Sequence, residues 1–170
     1  MIKINTSENK KVYLASDQHL GAPTAKASFP REQKFIAWLD EIKKDAEAIF
    51  LLGDLFDFWF EYKTVVPKGF VRVLGKLAEI KDAGIPIYFF VGNHDLWMND
   101  YFEKELNITV YHTPQEFLIN NKKMLIGHGD GLGPEDKGYK RMKKVFTFPF
   151  FKWLFRWLHP DIGVKLGQYM

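Results

Sequence analysis

Cysteine is missing from all 170 residues, so neither a disulfide framework nor a thiolate metal site can form. Any metal ion would have to be held by Asp, Asn, Glu and His. Long apolar runs are missing as well, and no stretch approaches the roughly 18 residues that a membrane-crossing helix needs. Residues 1–11 are polar and carry no apolar segment followed by a small-residue cleavage site, so the cytoplasm is the expected location. There is no low-complexity tract, and a hydrophobic share of 46% excludes an intrinsically disordered chain. This length predicts one domain, perhaps with a small appendage, and is ample for a buried core.

Acidic residues are scarce in one place only. Residues 137–165 hold eight basic side chains (Lys137, Lys140, Arg141, Lys143, Lys144, Lys152, Arg156, Lys165) against the single acid Asp161, although the net charge of the whole chain is only +3. The rest is therefore slightly acidic. A basic block at one end points to an anionic partner such as a phosphate, a nucleic acid or a lipid headgroup.

The first three-quarters alternates strand-like and helix-like segments. Residues 12–15 and 49–52 are short apolar runs suited to buried strands, and 87–91 is a third. Between them, Phe35, Leu39, Ile42 and Ala46 fall at helical spacing in 31–46. Phe70, Val73, Leu74, Leu77 and Ile80 do the same in 68–83, with Gly84 as a natural stop. Residues 117–119 and 123–126, joined by Asn120-Asn121, read as a hairpin. This order predicts a layered α/β domain, in which functional groups gather at the carboxyl ends of the strands.

Each apolar strand runs straight into a small polar cluster. These are Asp17-Gln18-His19, Gly53-Asp54-Leu55-Phe56-Asp57, Gly92-Asn93-His94-Asp95 and Gly127-His128-Gly129-Asp130. Taken singly, each could be a surface turn or a helix cap. Four in succession imply that the strand ends converge on something charged. Hard oxygen ligands with imidazoles, and no sulfur, suit Mn²⁺, Fe²⁺ or Zn²⁺. An Asp shared by two ions, with His and Asn completing each side, makes a two-metal hydrolase site.

SDQHLG, GDLFDFW, GNHD and GHGD, in this order, resemble the calcineurin-like metallophosphoesterases. The finer pattern of GDLFDFW and the aromatic, basic segment after GHGD is similar to the UDP-2,3-diacylglucosamine hydrolases of lipid A biosynthesis. The resemblance implies two divalent ions, Mn²⁺ foremost, with Asp17 and His19 on the first, Asp54 bridging, and Asn93 and His128 on the second. It places His94 beside the scissile phosphate, with Asp95 orienting it, and leaves Asp57 and Asp130 to packing or supporting hydrogen bonds. Two departures stand out. The better-known diacylglucosamine hydrolases have Arg where this chain has His94, and the Gly-His-x-His motif that adds a histidine to each metal is missing. The chain therefore reads as about two-thirds of a longer protein, with the C-terminal part of the fold absent and the 170 residues alone a poor enzyme.

Eight aromatics crowd residues 139–158: Tyr139, Phe146, Phe148, Phe150, Phe151, Trp153, Phe155 and Trp157. On a helix over 150–159, Lys152, Arg156 and His159 would form one narrow polar stripe. A core helix is the plain reading of such a pattern. The mixture of Trp and Phe with Lys and Arg instead matches helices lying in a membrane interface. The expected organisation is a metallophosphoesterase core over 1–136 and a helical cap over 137–170. Lys140, Arg141, Lys144, Phe150, Trp153 and Trp157 are the candidate contacts for substrate or lipid.

The expected activity is hydrolysis of the pyrophosphate of UDP-2,3-diacylglucosamine to UMP and 2,3-diacylglucosamine 1-phosphate, at the cytoplasmic face of the inner membrane. Alternatives are a phosphoesterase for another phosphate ester and a non-catalytic scaffold that binds a membrane or partner. Nucleic acid is not an expected partner, since the basic residues lie among bulky apolar ones without a recognisable motif.

Overall fold

The computed structural model describes residues 1–133 and 136–167, with Tyr139 described by its backbone alone. Its frame is a four-stranded parallel sheet of β2 (Lys11–Ala15), β3 (Ala46–Leu51), β4 (Ile87–Phe90) and β5 (Thr109–Tyr111), hydrogen-bonded in that order. A second sheet has the order β1 (Ile2–Ile4), β6 (Gln115–Ile119), β7 (Lys122–Ile126). Here β1 runs parallel to β6, and β6 antiparallel to β7. The hairpin between β6 and β7 turns on Asn120 and Asn121 at φ 48° and 63°, the left-handed pair that a two-residue hairpin loop requires.

Strand β3 shows why the layers stack as they do. Ala48 and Phe50 point to the second sheet and join Ile4, Phe90, Phe117, Ile119 and Ile126. Ile49 and Leu51 point the other way and join the helices. A strand buried on both faces reads as a continuous apolar run, as this one does. On the helical side lie α1 (Ala25–Ile42), α2 (Val71–Asp82) and α3 (Tyr101–Leu106). Phe35, Leu39 and Ile42 of α1, with Val73, Leu74, Leu77 and Ile80 of α2, present the expected apolar faces. The α/β layered arrangement expected from the strand–helix alternation is the observed one.

Boundaries moved where local chemistry outweighed the apolar spacing. Helix α1 begins six residues before the expected Arg31. Thr24 caps it, its side chain accepting from the Ala27 N–H at 3.2 Å, and the helix continues through Pro30. Helix α2 begins at Val71 because Gly69 and Phe70, at φ 105° and 57°, are left-handed and cannot extend it backwards. β1, β5 and α3 had no counterpart in the sequence reading.

After β7 the chain forms α4 (Lys137–Thr147), α5 (Pro149–Arg156) and α6 (Pro160–Gly167). The expected helix over 150–159 is thus cut short, and His159 lies outside it. Proline disfavours a helical conformation in the residue before it, and His159 precedes Pro160. No residue of α5 is buried. Phe150, Phe151, Trp153 and Leu154 of α5 and Trp157 just beyond it are 43–75% exposed, so the plain reading as a core helix is overturned for them.

Candidate metal centre

Strands β2, β3 and β4 are parallel, so their C-terminal ends share one edge of the sheet. Beyond the strands the backbone pairing continues: Asp17 N–H donates to Gly53 O at 3.1 Å, His19 N–H to Asp54 O at 2.9 Å and Leu20 N–H to Leu55 O at 2.9 Å. These bonds lock the first two polar clusters side by side. Asp17, His19 and Asp54 adopt φ values of 60°, 43° and 53°, a left-handed conformation that costs a non-glycine residue about 1–2 kcal/mol. Gly53 and Gly92 allow the loops to touch. A Cβ on Gly53 would lie 2.7 Å from Gly92 Cα, and one on Gly92 would fall on the Asp54 carboxylate.

Asp54 is the hub. Only 2% exposed, it places Oδ2 at 3.7 Å from His19 Nε2 and 3.5 Å from His128 Nε2, while Oδ1 accepts the His94 backbone N–H at 2.9 Å. Ligand-competent atoms of His19, Asp54 and His94 lie within 4.8 Å of one another, and so do those of Asp17, Asp54 and His128. Asn93 Oδ1 is 3.2 Å from His128 Nε2. The five residues expected to hold metal, together with His94, therefore occupy one edge, with Asp54 common to both groups. Carboxylate and amide oxygens with imidazoles around one buried carboxylate form a donor set that fits divalent ions.

The histidines are oriented from behind. His128 Nδ1 lies 2.7 Å from Leu52 O and His94 Nδ1 2.9 Å from Asp57 O. A carbonyl only accepts, so both Nδ1 atoms carry hydrogen and each Nε2 is left for the site. The Asp57 carboxylate also sits 3.6 Å from His19 Nδ1 and 3.7 Å from His94 Nδ1, and the two rings meet edge to face at 4.6 Å.

Asp95 departs from its expected role. Fully buried, it accepts the Gly92 N–H on Oδ1 at 2.6 Å and the Leu55 N–H on Oδ2 at 3.1 Å, and so splints the turn. Asp57, reaching over from the β3 loop, faces His94 instead. Burial pushes the Asp95 carboxyl up to about 7, against the backbone bonds that favour its charged form. At Asp54, burial also opposes ionisation, but hydrogen bonds from His128 and the His94 backbone outweigh it and hold the carboxyl below its ordinary value. The bond to Asp54 raises His128 to about 9 despite burial, so a proton competes with a metal ion for its Nε2.

Beside this edge opens a cavity of about 320 Å³, lined by Asp57, Phe58, Asn93, His94, Leu96 and Trp97 from the core, Met142 and Phe146 from α4, and Gly167 from α6. Trp97 Nε1–H donates to Phe146 O at 2.7 Å, and Phe155 packs on Phe60 and Trp97, each with ring centres 4.7 Å away. Lys143 pairs with Asp130 at 2.5 Å, two residues past His128. None of the six candidate contacts lines this cavity. Lys140 donates to Gly133 O at 2.7 Å, Arg141 and Lys144 are exposed, and Phe150, Trp153 and Trp157 form an outward stripe. The lining residues Met142, Phe146 and Trp97 were missed. The only signal for them was their place on apolar helix faces or beside GNHD.

Geometry of this kind, at the strand ends of a parallel sheet under helices, is a candidate site for divalent metal ions. The model of the calcineurin-like phosphoesterase family matches residues 10–163, and the chain belongs to that family, which implies divalent metal ions. More narrowly, it is 40% identical over 160 residues to the UDP-2,3-diacylglucosamine hydrolase of Porphyromonas gingivalis, covering 92% of this chain and 61% of that protein. It is 33% identical to the Proteus mirabilis protein of the same name, covering 80% and 56%, and 29% identical to that of Histophilus somni, covering 94% and 66%. The chain thus spans about half to two-thirds of the length of these relatives. The crystal structure of a protein of unknown function from Aquifex aeolicus superposes with a TM-score of 0.50 at 19% identity, over 82% of this chain and 73% of that one, and shows the shared fold.

Proposed function

We propose that this chain carries the catalytic edge of a UDP-2,3-diacylglucosamine hydrolase, cleaving the pyrophosphate bond to UMP and 2,3-diacylglucosamine 1-phosphate in lipid A biosynthesis. The observation that carries this reading is an apolar, aromatic-walled cavity opening directly beside Asn93 and His94. A phosphoesterase for small soluble substrates has no use for such a wall. A nucleotide sugar with two acyl chains needs anionic and apolar recognition side by side.

In this reading Asp17, His19, Asp54, Asn93 and His128 would hold two divalent ions around the shared Asp54, Mn²⁺ foremost with Fe²⁺ or Zn²⁺ as alternatives. When bound, the ions supply Lewis-acid neutralisation of the phosphoryl oxygens and activation of water. His94 is kept in one tautomer by Asp57 O, which leaves Nε2 as the atom that gives or takes a proton at the leaving oxygen. Phe58, Trp97, Met142 and Phe146 keep bulk water from the flank of the site and strengthen its electrostatics. The outward aromatic stripe of α5, with Lys140, Arg141, Lys144, Lys152 and Arg156 nearby in sequence, faces the cytoplasmic surface of the inner membrane.

The test compares UDP-2,3-diacylglucosamine with the unacylated nucleotide sugar and with bis(4-nitrophenyl) phosphate, measuring binding as well as turnover in the presence of Mn²⁺. Acylation is expected to tighten binding at least 100-fold, about 2.7 kcal/mol. Equal binding of acylated and unacylated sugars would overturn the substrate assignment. It would favour the second reading, a phosphoesterase for another ester, which His94 in the place of the hydrolases' arginine supports.

A further inference from the structure

We propose that Arg31, which lies outside all four motifs, is a positioning residue that sets the backbone of His19. The inference rests on the metal-centre reading above. Arg31 is on the exposed side of α1, yet its guanidinium turns back onto the β2 loop, where Nη2 donates to His19 O at 2.5 Å and to Ala22 O at 2.6 Å. One charged donor group thus joins the two ends of the turn that follows His19.

The turn needs such a clamp. His19 is left-handed at φ 43° without being glycine, and local structure alone does not favour that conformation. Its N–H is held by Asp54 O at 2.9 Å, so the peptide before it is tied to the β3 loop. Among the described residues, the carbonyl after it has besides Arg31 only the Ala22 N–H, a longer 3.2 Å bond. Ser28, also on α1, accepts the Gly21 N–H at 2.7 Å and anchors the middle of the turn to the same helix. The imidazole direction follows from backbone dihedrals on both sides of His19. Arg31 controls the side that the sheet does not. A charge-assisted bond to a carbonyl is stronger than a neutral one, and a planar group with two hydrogens on one nitrogen reaches both carbonyls without rotating.

The experiment uses the whole chain with Mn²⁺ as the probe, titrated by electron paramagnetic resonance, and amide hydrogen exchange read by NMR. Arg31→Met is expected to speed exchange at His19 and Ala22 and to weaken Mn²⁺ binding about 10-fold, the low end for losing a residue that supports a ligand. Arg31→Lys, which keeps the charge but not the planar fork, should fall between. Arg72→Met, removing an exposed arginine stacked 5.2 Å from the Phe29 ring, should change neither. Unchanged exchange in Arg31→Met would overturn the clamp, and faster exchange with unchanged Mn²⁺ affinity would overturn its link to the ligand. A wild-type chain that takes up no Mn²⁺ would remove the metal-centre reading and, with it, the link from Arg31 to a metal ligand. Faster exchange in that case would still leave Arg31 as the holder of the turn.

Discussion

The strand-end loops and the helical cap face each other across one cavity and are built on opposite rules. In the loops, polar groups are fixed by backbone from a neighbouring loop: Asp95 by Gly92 and Leu55, His128 by Leu52, His94 by Asp57. In the cap, α5 has no buried residue, and among the described residues the hold on the core comes from one indole bond, one ion pair, the Phe146 and Phe155 rings and the close approach of Gly163 and Gly167 to Tyr62 and Phe58. The loops hold atoms in position at the cost of strained backbone. The cap presents apolar surface and can give way. Under the proposed function, catalysis would use the first property and an acylated substrate the second, and local opening free energies should differ accordingly.

The sharpest way to break this contrast is to remove charge at the hub. Asp54→Asn should lower turnover on the order of 10³-fold, about 4 kcal/mol of transition-state stabilisation, while thermal melting shifts by a few degrees at most. Retained turnover with metal bound would end the bridging role. Next in size, Asp95→Ala should destabilise the fold by about 2–3 kcal/mol, because two buried N–H groups lose their acceptor. Trp157→Ala, at a side chain 75% exposed, should stay within about 0.5 kcal/mol. Paired chemical denaturation curves read the two together, and similar losses would erase the distinction between loops and cap.

A smaller effect sharpens the same line from the other side. Phe146→Ala, in the cavity wall, should weaken binding of the acylated nucleotide sugar about 10-fold, about 1.4 kcal/mol, and leave Mn²⁺ affinity unchanged. Isothermal titration with both ligands measures it, and a matching loss of Mn²⁺ would show that cap and loops are one unit. The smallest effect belongs to the outer stripe. Replacing the exposed Lys144 and Arg156 by Ala should reduce association with anionic vesicles a few-fold at low salt, with the difference vanishing as ionic strength rises. Sedimentation with vesicles checks it, and salt-independent association would assign the binding to the aromatics alone.

Much of the edge was legible because each motif ends an apolar strand, and parallel strands bring their ends together. Asp17, His19, Asp54 and Asn93 needed no more than that, whereas His128 arrives from the end of β7 in the second sheet. The Asp57–Asp95 exchange was not legible. Adjacency in sequence suggests that Asp95 serves His94, but neighbouring side chains diverge at a turn, and Asp95 goes inward while Asp57 arrives from another loop. The left-handed backbone of Asp17, His19 and Asp54 carries no glycine to announce it. β1 and β5 are three residues long, too short for a period of two to register, and α3 has fewer than two turns. In the cap, amphipathic spacing marks an apolar face without saying whether core or solvent meets it. Phe146 and Phe150 look alike in sequence and lie on opposite sides of that question. The break at His159-Pro160 was readable, since proline restricts the residue before it.

The three left-handed residues also bear on how such a chain would drift if selection for its chemistry were relaxed. At Asp17, which is exposed and has φ 60°, glycine removes a steric penalty and needs no partner to replace the carboxylate. The ligand would vanish while the fold stayed level or gained slightly. Under the metal-centre reading, neutral evolution would thus erode the chemistry before the architecture, leaving stable relatives with an intact sheet and glycines in place of oxygen donors.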